Sequence, residues 1–580
     1  MSSSFIIKDG VLIGFCHISF NGDITIPKNV SEIAPNVFKG YTSLTSVTIP
    51  DGVTKIDENA FCGCTNLIQI ILPESVTQIG EAAFADCKNL KSIVLPSGLK
   101  KIEGELFSGC TSLNDISLPS NIECIDELAF AYNTSLTTIS ISINIKRIVL
   151  DNCCSAFYGC TALENVDIID DSSGNAPYKD YAGYYRSHDG VLYSGDEDES
   201  LVFVPPGKSG NFRIPDNVET IREFSFSGSR IRSVFIPASV KMIERWAFYN
   251  CEQLENIFVD PKNRHFTDYS GILYNKNEHT LVRCPEGKTS VVLSEHTRTI
   301  DECAFNSCKE IRKLTIPDKT VKISDFAFVN CTSLTEINIP PSITDFGYCA
   351  FDDTPWLRRK TKFNGLVIVN NILLAVDARY GTIRVPDGVK KIAPGAFASS
   401  NCREVYLPET VRVIGESAFA FSKLEKIVLK EGIHTIGSRA FEECDLKEIT
   451  LPSTIRNIKD AFEDSYLSQI NIDSGKSKYY TSKYEVLYSR DGKTLKLCPP
   501  ACRELIIAEG TQRIRSDALK FCDKIKRLIL PRSLENEQLD IVFKVLKDNI
   551  DDLDSIMTYC IRNSPAHRYC EDREILYELI

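Results

Sequence analysis

The chain has 580 residues, 43% of them apolar, enough for several ordinary domains. Its net charge of −12 and pI near 5.3 argue against nucleic-acid or anionic-membrane surfaces, which need a basic stripe. No apolar run reaches the roughly 20 residues of a membrane span. Met1-Ser2-Ser3-Ser4-Phe5 has no basic stretch leading into an apolar run, so no leader or anchor is read there and the sequence points to the cytoplasm.

In chain order, Phe5 to Ile26 reads as a hairpin turning at Asp9-Gly10, an N-terminal cap over residues 1–26. A phrase then recurs about every 23 residues: Leu44, Val47, Ile49, Val53, Ile56, Ala60, Phe61, Cys64, then Leu67, Ile70, Leu72, Val76, Ile79, Ala83, Phe84, Cys87, and so on. A period of this length marks a solenoid, in which each repeat is one coil that buries its apolar face only against its neighbours. In the first copy Val47 and Ile49 alternate with Thr48 as a short strand with one buried face. Pro50, like Pro73, Pro96 and Pro119 after it, lacks a donor and ends that strand. The Ala60-Phe61 pair closes the coil. The step from Phe130 to Phe157 is four residues longer than the period, so a bulge is expected near Val149 to Cys153.

The solenoid is expected over residues 24–532, with hairpin insertions near 181–206, 265–285, 363–377 and 479–500, where phrases such as Asp189-Gly190-Val191-Leu192-Tyr193 break the rhythm. From Ser533 helix formers take over. Leu539, Phe543, Leu546, Ile550, Leu553, Met557 and Cys560 step by four and three, which predicts a helical cap over 533–580 on the open edge at Ile525 to Leu530. Pro565 is expected to end the stripe, with a further short helix at Glu571 to Leu579. An assembly role through these helices is the alternative to recognition by the repeats.

Many of the 22 cysteines, Cys64, Cys87 and Cys110 among them, fall three residues after a closing phenylalanine, where Asn133 or Ser422 also stands. Parallel side chains stacked about 4.8 Å apart are too distant for a disulfide, so these are expected to be buried free thiols.

The pattern L-x-x-I-x-I/L-P-x-x-V-x-x-I-x-x-x-A-F-x-x-C, carried by Leu44 to Cys64 and its copies from about Asp23 to Pro531, resembles the BspA-like leucine-rich repeats, as do the D-G-V-L-Y hairpins. The resemblance implies a right-handed, mainly β solenoid with a continuous parallel sheet. It also implies a non-enzymatic protein-binding role, adhesion-like or scaffolding, with members typically surface-associated or secreted.

Seven histidines are scattered without H-E-x-x-H spacing, and there is no G-x-S-x-G or Walker motif. Cys62 and Cys64, or Cys153 and Cys154, lack a second pair at zinc spacing. The acidic run Asp196 to Glu199 lacks the alternating ligands of a calcium loop and reads as a solvated hairpin tip. No catalytic residue, metal or cofactor is therefore expected. The outward strand positions hold the candidate site. They run Thr48, Ile71, Val94, Ser117, Ser140, Phe235, Phe258, Thr315, Asn338, Tyr406, Val428, Thr450, Asn471 and Ile529. Phe235, Phe258 and Tyr406 are the expected anchors for a protein ligand, with Phe235 and Phe258 stacked.

Overall fold

The computed structural model describes residues 5–15, 22–169, 185–194, 200–276, 279–377, 379–458, 460–472, 476–477, 480–550 and 553–580. The acidic run from Asp196 to Glu199 lies outside them. Two compact units are present, one of residues 1–297 with 303–312, the other of residues 298–302 with 313–580.

Each coil of the first unit contributes two strands where the sequence reading had one. Ser46–Thr48 pairs in parallel with Gln69–Ile71, and Lys55–Ile56 pairs with Gln78–Ile79. Val47, Ile49, Val53 and Ile56 are buried as their alternation requires. The hydrogen-bonded strands form sheets of two to six strands rather than one unbroken sheet.

A third ladder runs through the closing turns. The amides of Asn59, Phe61 and Gly63 donate to the carbonyls of Glu81, Ala83 and Ala85 on the next coil, at 2.9, 2.8 and 2.7 Å. The intervening amides of Ala60, Cys62 and Cys64 bond within their own coil to Asp57, Asn59 and Phe61. Alternate amides can point along the stack because Asn59 and Gly63 take φ of +55° and +74°, in the left-handed region. Successive rings stack beneath this ladder: Phe38–Phe61 at 5.0 Å, Phe61–Phe84 at 5.6 Å and Phe84–Phe107 at 5.7 Å, all within 11° of parallel.

The cysteine position has a defined bond. Cys64, Cys87 and Cys110 Sγ donate to the carbonyls of Phe38, Phe61 and Phe84 on the preceding coil, at 3.1, 3.3 and 3.1 Å. Asn133 Nδ2 does the same to Phe107, at 2.9 Å. The described cysteines are free thiols. Burial pushes Cys64, Cys110 and Cys160 up to about 12.

Hairpins are spliced into the second strand ladder. Phe5–Lys8 and Val11–Phe15 form the first, turning at Asp9 and Gly10 with φ of +51° and +80°, and Val11 and Leu12 pair with Glu32 and Ile33. Two positive φ values in succession match the right-handed twist of a hairpin. Phe15 stacks on Phe38 at 5.1 Å, so the hairpin supplies the first ring of the column. Three of the later insertions carry a third strand. Tyr185–His188, Val191–Ser194 and Ser200–Phe203 run antiparallel, and Ser200 and Leu201 then pair in parallel with Thr220 and Ile221. Phe203 continues the column beyond Phe157, at 5.6 Å. The expected bulge is present as a turn of 3₁₀ helix at Asn152–Cys154.

The second unit repeats the scheme, with Phe397–Phe419 at 4.6 Å and Phe419–Phe441 at 5.3 Å. Its hairpin Leu366–Val369 with Ile372–Val376 is preceded by helix α1, Pro355–Asn364, which the sequence reading did not anticipate. Thr354 caps it by accepting from the Leu357 amide, and Pro355 occupies the first turn.

The tail corrects the expected helical stretch. Helix α2, Asn536–Asn549, buries Leu539, Val542, Phe543 and Leu546 against the last coils. Asn549 Nδ2 donates to the Leu519 carbonyl at 2.8 Å, the bond that thiols make elsewhere. Ile550 then leaves the helix with extended φ and ψ. Met557–Cys560 is a strand, with Thr558 and Cys560 buried on alternate positions, and pairs in parallel with Arg527–Leu530. That edge is therefore not open. Pro565 begins helix α3, Pro565–Asp572, rather than ending one, and Tyr577–Leu579 is a further strand. The four-three spacing mixed helical and strand positions.

Phe84→Ala should cost about 3–5 kcal/mol by emptying the ring column, whereas Thr48→Ala on the outer face should cost under about 0.5 kcal/mol; denaturant titration distinguishes the two. The thiols predict an alkaline effect. An unfolded thiol loses its proton near about 8.5, while the folded Cys64, Cys110 and Cys160 hold theirs to about 12. The folded state binds more protons across that window, so their contribution is complete below it and lost as pH rises through it. The loss between pH 9 and 11, followed by urea midpoints, should shrink in Cys110→Asn, the side chain that Asn133 places in the same column.

Candidate binding face

An outward residue sits between two buried ones on each first-ladder strand, because side chains alternate faces. The backbone register aligns these positions from coil to coil. In the first unit Thr25, Thr48 and Ile71 are in register, as are Val94 with Ser117 and Ser140 with Asp167. Ile71 and Val94 are 52% and 73% exposed.

Arg213, Phe235 and Phe258 form one aligned row. Phe258 is 44% exposed and Phe235 half-buried. The expected stacking of the two rings is replaced by another contact. The Arg213 guanidinium lies over the Phe235 ring, 4.3 Å from its centroid. A flat cation on the π face is the better partner here, since the ring's quadrupole attracts it and the arginine stem covers the ring edge.

Tyr406, in the second unit, has the same arrangement. Arg384 is in register with it and lies 4.1 Å from its centroid. The Tyr406 hydroxyl donates to Glu404 Oε2 at 3.0 Å, which fixes the ring. A third pair, Arg527 over Tyr559 at 5.0 Å, stands where Ile529 and Tyr559 are in register, and Arg527 is also paired with Glu504 at 2.8 Å. The sequence reading passed over all three arginines. For the first two the signal was available: each arginine stands one repeat, 22 residues, before its aromatic. Tyr559 was hidden by its assignment to a helix.

Chemically the face offers aromatic area backed by guanidinium groups, of which Arg213 also pairs with Asp216 at 3.0 Å and Arg527 with Glu504. Among the described residues no group of three or more His, Cys, Asp or Glu side chains is placed to hold a metal ion. No helix among them is long and apolar enough to cross a membrane.

Stacked coils with parallel ladders and an outward row of aligned side chains define a leucine-rich-repeat solenoid. The chain belongs to the BspA-type leucine-rich repeat family, whose profile matches residues 31–164, 207–287, 284–371 and 377–485. Such repeat proteins commonly mediate protein–protein interaction and are typically non-enzymatic. Among solved structures, a leucine-rich cell surface protein from Faecalibacterium prausnitzii A2-165 is 25% identical, with 60% of this chain and 93% of that one covered at a TM-score of 0.40. A leucine-rich repeat protein from Eubacterium ventriosum is 19% identical over 74% of this chain and 92% of the other, at a TM-score of 0.30. One from Bacteroides ovatus is 16% identical over 97% and 98%, at 0.21. No curated protein sequence matches the chain.

A double-mutant cycle tests the arginine–aromatic contact. Arg213→Ala and Phe235→Ala should couple by about 0.5–1 kcal/mol in unfolding free energy, and Arg213→Ala with Phe258→Ala should be additive.

Proposed function

We propose that the outward row of the first strand ladder is a protein-recognition face in each unit, anchored by Phe235 and Phe258 in the first and by Tyr406 in the second, with the hairpins of each unit flanking it. The observation that carries this reading is the recurrence, in both units, of an arginine laid over an outward aromatic from the preceding coil. Aromatic and arginine side chains dominate binding energy at protein interfaces, and a ring already held in place loses little entropy on binding. Exposed Ile71 and Val94 add apolar area to the first unit's row. The role is adhesion-like or scaffolding; surface labelling and fractionation of the native cells decide between these.

The alternative, assembly through the C-terminal helices, has less support. The apolar side chains of α2 are buried against their own unit, so the helix has no free stripe for a second chain.

The test uses a partner recovered by crosslinking on native cells and then purified. Phe258→Ala and Tyr406→Ala should each weaken its binding by about tenfold or more, the effect of removing a hot-spot residue, while both stay folded and Tyr406→Ala loses only about 0.5–1 kcal/mol with its arginine contact. Undiminished binding by the double variant would rule this face out. A change in sedimentation on deleting residues 534–580, without loss of coil stability, would favour assembly.

A further inference from the structure

The three complete hairpin insertions interrupt the turn ladder in the same way. In the first, the Val204 amide takes the place of the closing phenylalanine's amide and donates to Ser225 at 2.7 Å. Cys284 and Cys498 do likewise to Ala304 and Ala518. Two residues on, where a regular coil donates again, the first insertion has Pro206, which has no N–H. The third has Pro500 at that place and the second has Glu286, and in each the turn ladder is interrupted there. In the second the gap is filled by the buried Arg283–Glu286 pair, with Arg283 bonded to the Phe248 and Cys303 carbonyls. In the third it is a remnant of about 20 Å³ among charged groups, Asp460, Glu463, Arg515 and Asp517 among them.

The first gap is open. It is a cavity of about 190 Å³ on the turn side of the first unit, and none of its lining side chains is charged. Tyr132 and Tyr158, edge to face at 5.5 Å, stand on one wall; Phe224, stacked on Trp246, stands on the other. The ladder bonds on both sides of the insertion's turn are missing. Among the described residues, the Gly159 amide has no acceptor and the Ser227 carbonyl, facing Pro206, has no donor. Both residues line the cavity. In regular coils both kinds of group are bonded to the adjacent coil, at 2.7 to 2.8 Å, as Gly63 donates to Ala85 and Gly109 to Ala131.

We propose that this cavity binds a neutral sugar residue of a glycan. The occupant has to present an acceptor to Gly159 and a donor to Ser227, on either side of the insertion's turn, while offering apolar faces to the tyrosines. A pyranose does both, with hydroxyls that donate and accept around its rim and C–H faces that stack on aromatic rings. The uncharged lining disfavours sulfated or acidic sugars, whose desolvation nothing here would offset. At about 190 Å³ the cavity falls below the roughly 300–1,000 Å³ of sites for drug-sized ligands, so a single ring enters and the rest of the chain stays outside. The site is separate from the strand face and does not depend on it.

The full-length chain is titrated with lactose, cellobiose, maltose and N,N′-diacetylchitobiose by isothermal calorimetry, with a chondroitin sulfate disaccharide as the charged control. At least one neutral disaccharide should saturate a single site. Tyr132→Ala, at a half-exposed position, should weaken it about tenfold by removing a stacking face. Ser227→Tyr, which fills the cavity from its rim, should abolish it with the thermal melt retained. No binding by any of the four, equal binding of the sulfated sugar, indifference to both substitutions, or displacement by a proline-rich peptide would each overturn the proposal.

Discussion

The closing turn carries the architecture. A coil of this chain is too small to bury its own apolar face, and most of its strands are only two or three residues long, below what an isolated hairpin needs to persist in water. Continuity is supplied by the alternation of amides in the turn. One set ties the coil to itself and the other ties it to its neighbour, with a phenylalanine ring stacked under the second set. The thiol then occupies the remaining lone pair of the phenylalanine carbonyl one coil back. A cysteine suits this place because it is small, apolar enough for a buried site and still a donor. Asparagine and serine can substitute through their own donors, as Asn133 and Ser422 do, with Ser422 bonding the carbonyl of its own coil's Phe419.

The hairpin insertions follow from the same constraint. A strand enters the stack by filling the side-chain place beneath the turn and offering the next coil an amide. Phe203 and Val204 do this in consecutive residues. Where Arg283 replaces the ring, the carbonyls of the flanking turns are bonded by its guanidinium instead, and Glu286 neutralises a charge that would otherwise be buried alone. The motif tyrosines contribute on the far side. Tyr274 and Tyr488 accept from the Ser294 and Ala508 amides, at 3.2 and 3.0 Å, so the phrases S-G-I-L-Y and Y-E-V-L-Y that they end encode a turn, a buried strand and a cap for the next coil.

What was legible in the sequence was what side-chain type records. Ring columns, strand-ending prolines and the small residue after the phenylalanine repeat as letters, so coil number and closing positions could be read directly. The turn ladder could not, because it is made of backbone groups. Its left-handed residues are glycine at Gly63 and Gly109 but Asp86 and Tyr132 in the coils between and after. The second strand, Lys55–Ile56 and its copies, is too short to show a period of two. The tail misled for a related reason: α2 ends at Asn549, and the apolar residues beyond it continue a helical spacing by coincidence while alternating as a strand. At the candidate face the aromatics stood out as large side chains on a polar row. The arginines that hold them were visible only by comparing positions one repeat apart.

Each complete coil presents three amides on one side and three carbonyls on the other, so gaining or losing a whole coil leaves that account balanced. Length variants arising by unequal recombination in multiples of one repeat should therefore fold as readily as the parent. Additions of a few residues have no such neutrality and must leave the stack, as the turn at Asn152–Cys154 does. Coil number is in this sense a heritable quantity that can change without redesign of the interior, and the length of an outward row can be adjusted separately from the side chains it carries.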